Sequence, residues 1–179
     1  MESLRQTLVG RMGEIYVLEM DEVSFSQKAK NAMGSYRIPV WYLTIIERRS
    51  GEALLLKLPR NSRSRDTIFG LVHRYISGDV EVHTDSNPVY TALDTMHQKH
   101  VVHRSCNHTL RFVNPRTGAT INTAEGFHSH VKSFLARFRG IKIDYRELVI
   151  DEFMFKRKYG MDGKCMAKLV LCLYKYCVN

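Results

Sequence analysis

The stretch Ile15-Tyr16-Val17-Leu18-Glu19-Met20-Asp21 is an apolar run that ends on a carboxylate. Its β-branched and aromatic residues favour a strand, in which alternate side chains share a face, so Glu19 and Asp21 face the same way. Two further strands are predicted, over residues 40–46 and 53–58, with the turn Arg49-Ser50-Gly51 between them. Since short connections join antiparallel neighbours, the three strands are predicted to form an antiparallel meander.

A different pattern begins at Ser64, which is predicted to cap a helix over residues 65–76 that ends before Gly78. A strand over residues 80–85 follows and ends on Asp85, and Pro88 then opens a helix through residue 98. The remaining predictions are a strand at 100–103, a turn at 114–118, a helix at 122–139, and helical stretches at 145–159 and 164–176. Three strands followed by helix, strand, helix, strand and helix predict an α/β fold with a ribonuclease H-like mixed sheet flanked by helices.

Three carboxylates fall where this fold gathers acidic residues. Asp21 ends the first strand, Asp85 ends the fourth, and Glu125 lies near the start of a long helix. Carboxylate oxygens are the hard ligands that Mg²⁺ or Mn²⁺ prefers, and two such ions can activate a water or a 3′-hydroxyl and stabilise the leaving oxygen. The pattern therefore predicts a two-metal site that cuts and joins phosphodiester bonds. Glu19 is either an accessory residue of that site or a solvated neighbour.

The charge of the chain favours a polyanionic partner, with DNA as the first candidate. The 179 residues include 27 Lys and Arg against 18 Asp and Glu, a net charge of +9. The residues predicted to contact DNA are basic and lie at or after the long helix: Lys132, Arg139, Lys156 and Arg157. The basic segments 60–65 and 156–158 are predicted either to bind phosphates, to act as nuclear-import signals, or to be solvated faces.

The chain is expected to be intracellular, and nuclear in a eukaryote. No apolar run approaches the roughly 20 residues that span a bilayer, and no secretion signal is recognised at the N-terminus, so no membrane association is expected. The four cysteines form no CxxC pair and are typical of reduced thiols. His97, His100 and His103 straddle a predicted helix end and a strand, and we expect no zinc site there.

Four stretches resemble the DDE transposase domain of the Merlin superfamily and its bacterial insertion-sequence relatives, the ISXO-like group. They are EMDE at residues 19–22, IERRSG at 46–51, FVNPRTGATINTAEGF at 112–127 and DEFMFKRKYG at 151–160. The resemblance predicts a transposase domain over residues 15–160, preceded by a short extension at 1–14 and followed by a helical tail at 161–179.

The resemblance implies metal-dependent DNA strand transfer. It assigns catalysis to Asp21, Asp85 and Glu125, with Lys132 at a basic position seven residues after Glu125. Asn122 is a reserve third ligand, since some relatives use asparagine. His128 is a second reserve residue because it follows Glu125 on the helix and could add a contact, although it departs from the family pattern, in which many members have Trp or Ser at this position.

The implied partners are transposon-end and target DNA, and a homo-oligomer is expected because two ends must be brought together. The alternative is a truncated or domesticated transposase-derived DNA-binding protein without catalysis. Such a protein would bind DNA in a salt-sensitive manner without any need for the metal.

Overall fold

A computed structural model describes residues 8–9, 15–25, 27–28, 37–95, 101–107, 113–138 and 143–160. Its main element is a five-stranded sheet of β1 (Tyr16–Ser24), β2 (Trp41–Glu47), β3 (Ala53–Lys57), β4 (Val80–Asp85) and β5 (Val101–Cys106). The order across the sheet is β3-β2-β1-β4-β5. β2 is antiparallel to β1 and β3, whereas β4 is parallel to β1 and β5. This mixed sheet has the ribonuclease H-like topology, which confirms the predicted fold class and the three-strand meander.

Three helices are described: α1 (Arg65–Tyr75), α2 (Asn122–Ala136) and α3 (Ile143–Tyr159). The predicted N-cap of α1 is confirmed, because the Ser64 hydroxyl accepts a hydrogen bond from the Thr67 amide at 3.3 Å. The smaller elements are two-residue strand pairs and 3₁₀ turns. The pairs join Leu8–Val9 to Ile76–Ser77 and Gln27–Lys28 to Arg37–Ile38, and the turns are Pro59–Asn61, Pro88–Tyr90 and Leu93–Thr95.

The helix predicted over residues 88–98 is wrong for the part that the structure describes. Two 3₁₀ turns replace it, and Ala92 between them has a φ of 71°, which an α-helix cannot contain. The Asn87 side chain caps the first of these turns, because it accepts a hydrogen bond from the Val89 amide at 3.1 Å. The end of that predicted helix, Arg139 and the predicted tail helix lie outside the described residues.

The chain divides into two compact units, residues 1–129 and residues 130–179. In the first unit, side chains alternate between the two faces of β1, and Leu18 and Met20 lie on the face that packs in the core. They share this core with buried side chains of the neighbouring strands and α1. Glu19 and Asp21 consequently lie on the other face of the sheet. In the second unit, the Phe134 ring packs 5.3 Å from the rings of Phe138 and Phe153. None of the described helices is long and apolar enough to span a membrane.

Candidate active site

Three separate elements carry the predicted catalytic carboxylates toward one end of the sheet. β1 and β4 run parallel with Glu19 paired to His83, so Asp21 and Asp85 each stand two residues further along their strands. Glu125 lies in the first turn of α2. The structure thus places Asp21 and Asp85 at the same end of neighbouring strands, and the charge of Glu125 also acts on Asp21.

The pKa of Asp21 is raised from its ordinary value of 3.8 to about 7. Burial is the largest cause, followed by the charge of Asp85, then that of Glu22, and Glu125 also contributes. A hydrogen bond from the Glu22 amide at 2.8 Å opposes the shift only in part. A desolvated carboxylate among like charges favours the binding of a proton or a cation.

The Asn87 amide and the His128 side chain help to position the carboxylates of Asp85 and Asp21. The Asp85 Oδ1 atom accepts a hydrogen bond from the Asn87 amide at 3.0 Å. His128 is buried, with Nε2 at 2.8 Å from the Thr44 hydroxyl and Nδ1 at 3.7 Å from the Asp21 Oδ2 atom. Because Thr44 also lies opposite Asp21 in the β1–β2 register, His128 packs directly beside the Asp21 side chain. Over the residues that the structure describes, no three potential ligands have the spacing of a preformed metal site.

The other predicted site residues are spread along α2 and α3. Asn122 is exposed at the first position of α2. Lys132 is exposed further along the same helix, and Arg157 is exposed in the last turn of α3. Lys156 is half-buried, pairs with Glu152 and lies over the Phe134 ring. Arg139, by contrast, lies outside the described residues.

Glu19 caps the helix that carries Glu125, a role that sequence reasoning missed. Its side chain is fully buried, and Oε2 accepts hydrogen bonds from the amides of Thr123 at 2.7 Å and Ala124 at 3.0 Å. Oε1 accepts from the Thr123 hydroxyl and from Arg48 Nε, both at 2.9 Å. The first-turn amides of a helix need such partners and favour negative charge. A strand residue two positions from Asp21 therefore holds the start of α2 in place.

Arg48 and His83 extend this network to the segment that enters α2. Arg48 Nη2 donates to the Thr120 carbonyl at 3.1 Å and lies 2.6 Å from His83 Nδ1. The Thr120 amide also donates to His83 Nδ1, at 3.2 Å. Two donors on Nδ1 require it to be unprotonated, so Nε2 carries the hydrogen and donates to Glu81 Oε1 at 2.6 Å. This arrangement fixes the tautomer of His83.

The IERRSG motif builds the hairpin that presents Arg48. The Glu47 carboxylate accepts hydrogen bonds from the amides of Arg49 and Ser50, which closes the turn after β2. These bonds lower the pKa of Glu47 against the opposing effect of burial, which is the largest influence on it. Gly51 has a φ of 71°, a conformation that favours glycine. The place of Arg48 in the IERRSG motif was the signal by which the sequence could have identified it as a residue of the site.

Glu22 lies on the opposite face from Asp21 and is also buried, with 2% of its side chain exposed. Its Oε2 atom accepts a hydrogen bond from the Tyr90 hydroxyl at 2.7 Å, whereas Oε1 accepts none from the described residues. Arg63 Nε stands 3.7 Å from Oε1. Burial, and then the Glu22 charge, raise the pKa of Tyr90 well above its ordinary value, so the phenol stays protonated.

Comparison with known proteins supplies a family match. Residues 12–158 match the sequence model of the family described as ISXO2-like transposase domain. No curated protein sequence matches the chain.

Similar solved structures include the catalytic core domain of BIV integrase, with a TM-score of 0.49, 16% identity, and coverage of 82% of this chain and 85% of that chain. The HTLV-2 integrase catalytic core in complex with magnesium, in its dimeric form, has a TM-score of 0.49 and 12% identity, and the match covers 79% of this chain and 84% of that chain. A simian T-cell lymphotropic virus intasome in complex with PP2A regulatory subunit B56 gamma has a TM-score of 0.45 and 15% identity, and the match covers 78% of this chain and 49% of that chain.

Proposed function

The chain belongs to the ISXO2-like transposase family, and from that premise we propose that it cleaves DNA strands and joins them at a site of Asp21, Asp85 and Glu125. The observation that carries the proposal is the raised pKa of Asp21, to which Asp85 and Glu125 both contribute. Asp21, Asp85 and Glu125 are far apart in sequence, and burial of a carboxylate among like charges is typical of functional sites.

The chemistry of these residues fits divalent cations, and we propose two Mg²⁺ or Mn²⁺ ions held by Asp21, Asp85 and Glu125. Carboxylate oxygens match the preference of both metals, and like-charge repulsion at Asp21 favours a cation. When bound, the ions would activate the attacking water or 3′-hydroxyl and stabilise the leaving oxygen.

The protein's own side chains would position the reacting groups. Glu19 and Arg48 hold the start of α2, and hence Glu125, against β1. His128, hydrogen bonded to Thr44, limits the movement of the Asp21 carboxylate. Asn122, exposed in the same helical turn as Glu125, remains the alternative third ligand.

The DNA itself would be held by basic side chains, and we propose Lys132, Arg139, Lys156 and Arg157 for that role. The excess of basic residues over the whole chain supports a polyanionic substrate. We further propose that the substrates are transposon ends and a target duplex and that a homo-oligomer brings two ends together. Such substrates would place the protein inside the cell, and in the nucleus of a eukaryote.

Cleavage of transposon-end DNA in Mn²⁺ tests the catalytic assignment. Asp85→Asn should lower the rate by about two orders of magnitude or more, because it removes a carboxylate oxygen from the metal site. The matched control is Asp79→Asn, which changes an exposed aspartate just before β4, at the other end of that strand from Asp85. Equal cleavage by wild type and Asp85→Asn would refute the assignment.

Cleavage in Mn²⁺, measured beside DNA binding in EDTA, separates this function from the alternative of a domesticated DNA-binding protein. A protein of that kind would bind DNA without metal, would retain binding in Asp21→Ala, and would show no cleavage in Mn²⁺. A catalytic transposase would cleave in Mn²⁺ and lose cleavage, but not metal-free binding, in the same variant.

A further inference from the structure

The connection between β3 and α1 lies at the carboxylate end of the sheet. β3 ends at Lys57, which pairs with Tyr42, and Tyr42 pairs with Val23, two residues beyond Asp21. The residues that follow, 58–65, are called here the arginine loop. The loop exposes three arginines: Arg60, Arg63 and Arg65.

The arginine loop has a fixed backbone. Arg60 and Asn61 have φ values of 51° and 58°, a left-handed conformation that costs energy in residues other than glycine. The Asn61 side chain offsets this cost with two long-range hydrogen bonds. Its Oδ1 accepts from the Trp41 amide at 2.7 Å and its Nδ2 donates to the Pro39 carbonyl at 2.9 Å. The hydrogen bonds of Asn61 therefore hold the backbone of Arg60 in this conformation.

Arg63 is held against two groups at the same end of the sheet as Asp21, although one of them, Glu22, lies on the opposite face. Its guanidinium carbon lies 4.0 Å from the centroid of the Trp41 ring, which is a cation–π contact. Its Nε lies 3.7 Å from the Oε1 atom of Glu22, the residue after Asp21 in β1. The Arg63 side chain nevertheless remains 41% exposed, so the stacked guanidinium can still be reached by a ligand.

We propose that the arginine loop holds the phosphodiester backbone of DNA beside the Asp21–Asp85 end of the sheet. Carboxylates at that end repel phosphates, so DNA can be retained there only if cations flank it. Guanidinium groups match phosphate oxygens in geometry and charge, and such contacts position DNA without reading its sequence. The inference rests on the proposed function for the identity of its partner, and it adds a contact surface in residues 1–129.

The test is fluorescence anisotropy with a short labelled DNA duplex in EDTA, over a series of salt concentrations. Arg60→Gln and Arg65→Gln should each weaken binding several-fold. Each should also reduce the slope of log affinity against log salt by about 0.9, because each removes one phosphate contact. The matched control is Arg49→Gln, the same change of charge at an exposed position in the β2–β3 turn, at the opposite end of the sheet.

The proposal is overturned if both variants bind DNA with the affinity and salt slope of Arg49→Gln, or if the wild type binds no DNA. Binding in EDTA keeps this result independent of catalysis. A wild type that cuts no DNA in Mn²⁺, together with reduced salt slopes in Arg60→Gln and Arg65→Gln, would support the surface and reject the proposed activity.

Discussion

Replacing Glu19 with alanine should detach the start of α2 from β1. The buried Glu19 carboxylate accepts hydrogen bonds from two amides in the first turn of α2, from the Thr123 hydroxyl and from Arg48. Alanine removes every one of these acceptors at once. Because the helix start is partly buried, water cannot replace the Glu19 carboxylate as the hydrogen-bond acceptor for both amides.

The expected loss of stability follows from these contacts. An orphaned buried donor costs about 1–3 kcal/mol, and loss of one partner of a buried ion pair costs about 3–5 kcal/mol. The Arg48 side chain is 33% exposed and can regain water, so the two amides dominate. Two amides at about 1–3 kcal/mol each mean that Glu19→Ala should lower the free energy of unfolding by about 2–6 kcal/mol. Glu19→Gln keeps one carbonyl acceptor and should lose about 1–3 kcal/mol.

Urea denaturation measures this loss, with the fluorescence of Trp41, the single tryptophan of the chain, as the signal. Amide hydrogen exchange at Thr123 and Ala124 should accelerate in the same variant. Glu52→Ala, at an exposed glutamate after the β2 turn, is the control and should stay within about 0.5 kcal/mol of wild type. A loss below about 1 kcal/mol in Glu19→Ala would show that Glu19 does not hold α2.

Three further predictions concern the charge of Asp21, the buried phenol and the aromatic cluster. The pKa of Asp21 is about 7 in the fold against an ordinary 3.8, so the folded state binds this proton more tightly and loses stability as pH rises from about 4 to about 7. In EDTA, Asp21→Asn should therefore be more stable than wild type by roughly 2–4 kcal/mol above pH 7, and the two proteins should be similarly stable near about pH 4. Urea denaturation that gives the same stability gap between variant and wild type at both pH values would contradict this. Tyr90→Phe leaves the buried Glu22 carboxylate without its hydrogen bond and should cost about 1–3 kcal/mol in the same assay, whereas an unchanged midpoint would argue against that bond. Phe134→Ala removes a ring that packs on two others and should lower stability by about 3–5 kcal/mol, with a shift smaller than about 1 kcal/mol as the contrary result.

Local pattern was sufficient for most of the secondary structure. The apolar alternation of β1, the capping hydroxyl of Ser64 and the bounds of β4 follow from preferences that act within a few residues. The helix predicted after Pro88 failed because the left-handed φ of Ala92 interrupts it. No propensity of alanine signals that conformation, which the surrounding structure imposes.

The sequence by itself determined the family and proposed three carboxylates, because motif residues and strand ends can be recognised along the chain. It selected Asp21 for catalysis but left Glu19, on the same face of the strand, as either an accessory residue or a solvated neighbour. Tertiary structure decided the role of Glu19, since its partners Arg48 and Thr123 are 29 and 104 residues away. Glu19 meets helix amides and an arginine, which satisfy its charge, whereas Asp21 meets mainly other carboxylates, which leave room for a cation. That difference in neighbours gives the two side chains separate roles.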